Sequence, residues 1–150
     1  YDIESGGKAP YSTEAEQAVL GSMIIDPDCI NEVALEVKEE YFYFKQHRDI
    51  FYAISSMYEF SQTIDFISLL ERLKKDGVYD EAGGKEYLTK LVTAVPSSAN
   101  VLTYVAIILE HYVKRTHMSV ASGIIKDINE NVEIKIYSIL QKKKTNGRNH

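Results

Sequence analysis

The chain has 150 residues, of which 45% are hydrophobic and 26% are charged, and its formal net charge at pH 7 is −5. This length leaves room for one domain of ordinary size and for no second large domain. Since no run of about 18 apolar residues occurs, the composition favours a soluble globular protein over one that spans a membrane.

The expected location is the cytoplasm. The polar start YDIESGGK lacks the apolar core of a secretory signal, and Cys29 is the single cysteine of the sequence. One cysteine forms neither an internal disulfide nor a zinc cluster, which agrees with a reducing compartment.

Acidic and basic residues are unevenly distributed. Residues 1–134 hold 12 Lys and Arg against 22 Asp and Glu, a charge of −10, whereas residues 135–150 hold five Lys and Arg and no acid. Nucleic-acid binding needs a basic surface for the phosphates, so the acidic body disfavours it. The basic end KKKTNGRNH is predicted to be a disordered, solvated tail, with contact to nucleic acid as the alternative.

Hydrophobic residues recur with helical spacing along almost the whole sequence, which predicts an all-α fold. In the first predicted helix, Thr13 and Glu16 form a capping box and Gly21 permits close packing. Asp26 followed by proline indicates a second helix start, because a capping side chain precedes the position that proline favours. A third helix is predicted over residues 46–58, after the aromatic run YFYF, which we interpret as a packed connector.

The second half of the sequence predicts further helices. Asp65 is expected to cap a fourth helix that ends at Gly77, because glycine commonly terminates helices. The glycine pair at 83–84 is predicted to break the chain before a short helix that Pro96 stops. Residues 99–128 contain no proline and one glycine, so a long helix is predicted there, and at ~1.5 Å per residue it exceeds what a compact head needs.

These elements predict a compact helical head of about five helices, followed by a projecting long helix. The expected parts are a flexible N-terminal tail at 1–9, the head at 10–96, the projecting helix or hairpin at 97–140 and a basic disordered tail at 141–150. Within this region, residues 131–144, NVEIKIYSILQKKK, suit a short helix but alternate like a strand at their start, so both interpretations stay open.

The long helix carries an apolar stripe that a projecting helix cannot cover with its own head. The stripe is therefore predicted to pair with another copy of the chain, as one arm of a helical hairpin whose second arm is short or irregular. Tyrosines on this helix suit a protein interface, because their rings are apolar and their hydroxyls are polar. The candidate self-association residues are Val101, Val105, Ile108, Tyr112, Ile124 and Ile128.

The sequence contains no pattern typical of a catalytic or cofactor site. The phosphate-binding pattern GxxxxGK[ST] is absent, and the nearest candidate, Gly83-Gly84-Lys85, lacks the earlier glycine and the following hydroxyl residue. The four histidines are not spaced as metal ligands, and His47 is predicted to have a structural role at a helix start. The isolated chain is therefore expected to be no enzyme and to bind neither a cofactor nor a metal.

Four segments resemble one protein family in order and spacing. They are STEAEQAVLG at residues 12–21, KEEYFYFKQHRDIF at 38–51, IDFISLLERLKKDG at 64–77 and AGGKEYLTKLVTAVPSSANVLTY at 82–104. The family is that of the DnaB-type replicative DNA helicases, and the resemblance is to their amino-terminal domain. It covers roughly residues 10–130.

The resemblance implies a helical head followed by a helical hairpin. In this family the domain forms the collar of the ring, usually as a trimer of dimers, and docks the carboxy-terminal domain of primase; in some bacteria it also meets loader proteins. By position, Glu14 and Tyr104 match places where the family contacts primase.

The predicted function is thus a non-catalytic module for collar assembly and primase docking in DNA replication. Two alternatives are a stand-alone adaptor of phage or mobile-element type that binds primase or helicase, and a small DNA-binding domain that uses the basic tail. The sequence leaves open whether the residues after about Glu130 are native to the family.

Overall fold

The computed structural model describes residues 9–148, and these residues form α-helices joined by short connections. The helices are α1, Thr13–Ile25; α2, Ile30–Glu36; α3, Lys45–Glu59; α4, Phe66–Lys75; α5, Glu81–Val92; and α6, Val101–Arg148, with two short 3-10 turns at Pro27–Cys29 and Glu39–Tyr41. No strand occurs among residues 9–148, and the predicted all-α class is confirmed.

The described residues fall into two units. One, Pro10–Val113, is called the head below, and the other includes residues 114–148, called the distal helix. The predicted head ended at residue 96, but the head also contains the first turns of α6, because buried side chains on those turns belong to its core. Of the predicted flexible tail, residues 1–8 lie outside the described part of the chain.

The core of the head is built from the apolar faces of α1, α3, α4 and α5. Residues three or four positions apart share one side of a helix, and α3, α4 and α5 each turn one such face inward, whereas residues 18–24 of α1 are all buried. Phe42, in the predicted aromatic connector, is buried as well. Fully buried residues on the four faces are Leu20, Met23, Ile50, Ile54, Leu69, Leu73, Leu88 and Leu91.

Two helix starts illustrate how far the capping signals hold. Asp65 caps α4 as predicted: its carboxyl oxygen accepts the Ser68 N–H at 2.8 Å, and the Ser68 hydroxyl oxygen accepts the Asp65 N–H at 3.0 Å. The capping box predicted from Thr13 and Glu16 is wrong. Ser12 caps α1 instead, accepting the N–H of Ala15 at 3.1 Å, while Glu16 is turned into the core.

The predicted second helix start also differs in detail. Asp26 precedes Pro27, but the turn that follows is 3-10 and the Asp26 side chain caps no backbone N–H. Its carboxyl oxygen instead accepts a hydrogen bond from the Ser98 hydroxyl at 2.5 Å. The Asp26 side chain therefore links the end of α1 to the segment that precedes α6.

The glycine pair at 83–84 does not break the chain, contrary to the prediction, because both residues lie inside α5. Asp80 caps this helix by accepting the Gly83 N–H at 2.7 Å. A Cβ on Gly84 would lie 2.5 Å from the Leu70 Cδ1 atom, so a side chain there would require Leu70 to shift. The cap and this close packing offset the roughly 1 kcal/mol by which each glycine disfavours a helix.

The last helix is longer than predicted. α6 continues without interruption to Arg148, so residues 131–144 are helical and form neither a strand nor a separate second arm. The prediction of a disordered tail is wrong for residues 141–148, and residues 149–150 lie outside the described range. Strand-like alternation over five residues did not decide the structure, because the flanking sequence is rich in strong helix formers and contains no proline.

Gly21 allows a close contact between α1 and α5. A Cβ at this position would lie 2.1 Å from the Leu91 carbonyl oxygen of α5. The predicted close packing at Gly21 is therefore confirmed.

We expect Gly21→Ala to lower the free energy of unfolding of the head by about 2 kcal/mol, since overpacking costs roughly 1–3 kcal/mol. The matched control is Gly123→Ala in the distal helix, where a Cβ meets nothing within 4 Å; this change should leave the head's stability unaltered. Urea unfolding followed by circular dichroism measures both variants. A Gly21→Ala chain as stable as the parent chain would contradict the close approach.

Candidate protein-interaction surfaces

The two predicted primase contacts both lie in the head, at the starts of helices. Glu14 is exposed on the first turn of α1. Tyr104 is half-buried on the first turn of α6 and packs against the core. Glu14 is therefore more accessible to a partner than Tyr104, which offers only part of its ring.

The neighbouring acid, Glu16, has a different environment and was assigned only a helix-end role from the sequence. It is 2% exposed, and its carboxyl oxygens accept the N–H of Tyr43 at 3.0 Å and the N–H of Phe44 at 3.5 Å. These two N–H groups lie just before α3. One side chain of α1 thus binds the backbone at the entry to α3, whose own N-cap residue makes no side-chain cap.

His47 extends this contact to a third helix. Its Nδ1 atom lies 2.8 Å from Glu16 Oε1, and its Nε2 atom lies 2.5 Å from the Tyr87 hydroxyl. The Tyr87 oxygen in turn accepts the side-chain N–H of Gln17 at 3.2 Å. All donors are matched when the His47 hydrogen sits on Nδ1 and Tyr87 donates to Nε2. The structural role predicted for His47 is confirmed.

Burial alters the acidity of the tyrosines beside this network. It raises the pKa of the Tyr87 phenol, and it raises the pKa of Tyr79 to about 12. The two rings are stacked with centroids 5.8 Å apart. Both phenols therefore stay protonated through the physiological range and can act as hydrogen-bond donors there.

Four of the six residues of the predicted self-association stripe are used inside the head, which corrects the prediction for these four. Val101, Val105 and Ile108 are 2–3% exposed and belong to the head's core. Tyr112 is half-buried and stacks on Tyr41, with ring centroids 4.3 Å apart. These four side chains were assigned to a partner because spacing alone does not show that the head extends beneath the start of α6.

The remaining part of the stripe is exposed. Ile124 and Ile128 in the distal helix are 54% and 56% exposed. At 100° per residue, Ile124 and the exposed Val132 each lie about 40° from Ile128 around the helix. The distal helix therefore has an exposed apolar stripe, called the distal stripe below, which consists of Ile124, Ile128 and Val132.

Among residues 9–148, no group of three or more His, Cys, Asp or Glu side chains is arranged to hold a metal ion. No helix in that range is long and apolar enough to cross a membrane.

The arrangement of helices and the sequence both match one family of known proteins. Residues 8–110 fit the model of the DnaB-like helicase N terminal domain. The chain belongs to this family. It is 30% identical to the replicative DNA helicase DnaB of Pasteurella multocida, over 97% of this chain and 33% of that protein. The chain spans a third or less of the length of the first curated relatives it matches.

Solved structures agree with this DnaB-like assignment. The N-terminal domain of DnaB helicase from Mycobacterium tuberculosis superposes with a TM-score of 0.76 and 28% identity, covering 79% of this chain and 83% of that one. A DnaB-like replicative helicase, described with its interactions with primase, superposes with a TM-score of 0.67 and 30% identity, covering 79% of this chain and 28% of that one. The resemblance inferred from the four sequence segments is confirmed.

In this DnaB-like domain, we expect Glu16→Ala to lower the free energy of unfolding by about 3 kcal/mol or more. The change removes the hydrogen-bond partner of the Tyr43 N–H and of a buried imidazole nitrogen of His47, and each such loss costs roughly 1–3 kcal/mol. Glu14→Ala, two residues earlier and exposed, should change stability by at most ~0.5 kcal/mol. Thermal and urea unfolding measure both. Equal stabilities of the two variants would show that the Glu16 contacts do not support the fold.

Proposed function

We propose that this chain is a non-catalytic module of a replicative DNA helicase, which assembles the collar of the helicase ring and docks primase in the cytoplasm. The observation that carries the proposal is the match of residues 8–110 to the DnaB-like N-terminal domain. A relative with 30% identity is described with its interactions with primase, and this supports primase as the partner. ATP-driven unwinding would belong to a motor domain of the complete helicase.

The charge of the head supports a protein partner rather than a nucleic acid. Residues 10–113 contain eight Lys and Arg against 17 Asp and Glu, a net charge of −9. A surface of this charge repels phosphates and attracts basic protein surfaces. Glu14 is exposed and contributes to this field at the start of α1.

The distal stripe supports self-association as the assembly step. Its apolar residues expose half or more of their surface, while Lys126 and Glu130 lie on the opposite side of the helix. A second copy of the same helix buries such a stripe symmetrically, as in the two-fold contacts of most homodimers. We therefore assign self-association to Ile124, Ile128 and their neighbours rather than to the residues in the core of the head.

For primase docking, we expect Glu14→Lys and Tyr104→Ala each to weaken binding of the cognate primase carboxy-terminal domain about tenfold or more. Charge reversal repels a basic partner, and loss of a partly buried ring removes contact area. Titration calorimetry measures the dissociation constants.

Two matched controls, Glu86→Lys and Tyr58→Ala, change exposed residues of the same types elsewhere on the head. They should bind primase as the parent chain does. If all four variants bind alike, or if the parent chain does not bind, the docking proposal is wrong. Circular dichroism of Tyr104→Ala shows whether the variant is folded, so that weaker binding can be attributed to the lost contact with primase.

For self-association, we expect Ile128→Asp to shift the chain towards the monomer, since an unpaired charge buried in a helix interface costs several kcal/mol. The control is Tyr137→Asp, which places the same charge about half a turn away around the helix at a residue that is 64% exposed. Light scattering across a concentration series measures both. A parent chain that stays monomeric at high concentration, or equal effects of the two changes, contradicts the assignment.

A further inference from the structure

The outer side of α3 carries a pocket of about 300 Å³ that no step of the proposed function uses. Its rim and walls are formed by two acids, Glu39 and Glu59, and by two exposed aromatic rings, Tyr52 and Phe60. The buried ring of Phe51 also lines it. The pocket therefore combines negative charge with aromatic faces.

The charge of the pocket is not neutralised within the described residues. Neither Glu39 nor Glu59 forms an ion pair in residues 9–148, whereas the exposed acids of α4 and α5 do, as Glu71 and Glu81 show. The basic side chain that touches the pocket's wall is Arg72, which donates to the Ser56 hydroxyl at 3.3 Å. Arg72 is itself paired with Asp76 at 2.9 Å, so its charge is already matched.

The aromatic rings of the pocket are exposed to an unusual degree. Phe60 is 71% exposed and Tyr52 is 55% exposed, although burying such rings is among the most favourable contributions to a protein interface. An aromatic face also attracts a cation, and more strongly a planar guanidinium than an ammonium group.

One polar atom in the pocket is without a partner. The Ser55 hydroxyl oxygen is buried and has no hydrogen-bond partner among the described residues. A buried hydroxyl normally has one, since leaving it unpaired costs free energy. Because this oxygen is closed off from solvent, an occupant of the pocket does not reach it, and recognition rests on the acids and the aromatic rings.

We propose that this pocket binds an arginine side chain on an otherwise apolar segment of a partner protein. The guanidinium pairs with Glu39 and Glu59, its plane stacks on Tyr52 or Phe60, and neighbouring apolar side chains cover the rings. The net charge of −9 on residues 10–113 draws a basic segment towards this surface. Phosphate groups of a nucleic acid are repelled by the same charges.

This site is independent of the proposed primase and self-association surfaces. It uses neither Glu14 nor Tyr104, and it uses no residue of the distal stripe. If the pocket does not bind arginine, the proposed function therefore still stands. If the proposed function is wrong, the pocket can still bind arginine.

The test uses two synthetic tripeptides with the intact chain: acetyl-Leu-Arg-Leu-amide and the same peptide with neutral citrulline in place of arginine. Amide NMR signals of the whole chain are followed during each titration. We expect saturable shifts confined to residues 51–60 and to Glu39 with the arginine peptide, and binding at least tenfold weaker with the citrulline peptide.

The variant Glu39→Gln/Glu59→Gln should weaken binding of the arginine peptide at least tenfold. Its control, Glu32→Gln/Glu86→Gln, removes the same total charge from exposed residues outside the pocket and should bind as the parent chain does. The proposal is overturned by equal binding of the two peptides, by equal effects of the two double variants or by shifts spread over the acidic surface.

A further experiment distinguishes another occupant, the basic run Lys142–Lys144 of a second copy. Light scattering of Glu39→Gln/Glu59→Gln should give the same mass as the parent chain at each concentration. A loss of self-association in this variant would assign the pocket to a second copy and overturn the proposal.

Discussion

The head depends on one buried acid, Glu16, which joins three helices. Its carboxyl group completes the start of α3 by accepting the Tyr43 N–H, and it holds His47 on the same helix. His47 in turn meets Tyr87 on α5. A polar group with 2% exposure is tolerated only when its hydrogen bonds are made, so this network fixes the register of the helices more strictly than apolar packing does.

Close backbone packing works together with this network. Gly21 of α1 lies against the Leu91 carbonyl of α5, one turn after Glu16 and Gln17 contact α3 and α5. The polar contacts set the position of α1 along its neighbours, and the missing side chain at Gly21 sets its distance from α5. Together they hold the start of α1 in place. Because the exposed Glu14 lies there, the buried contacts also determine its position on the surface.

The sequence predicted what depends on neighbours along the chain and missed what depends on distant contacts. The Asp65 cap follows from local rules and is confirmed, while Gly21, which lies against Leu91 of α5, is a distant contact that was nevertheless predicted. Glu16 stands three residues after a threonine and so mimics a capping box, although its partners lie some 30 residues away. Val101 and Ile108 have the spacing of an exposed stripe, and only the fold shows that the head covers them.

These errors have a common cause that bears on function. A helical period identifies an apolar face but not what covers that face, because the head's own core and a partner's helix present the same chemistry. Both environments occur along α6: Val105 and Ile108 are buried in the core, whereas Ile124 and Ile128 are about half exposed. A side chain already packed in the core contributes nothing further to association. Among the residues of the predicted stripe, Ile124 and Ile128 are therefore the ones whose apolar surface remains exposed.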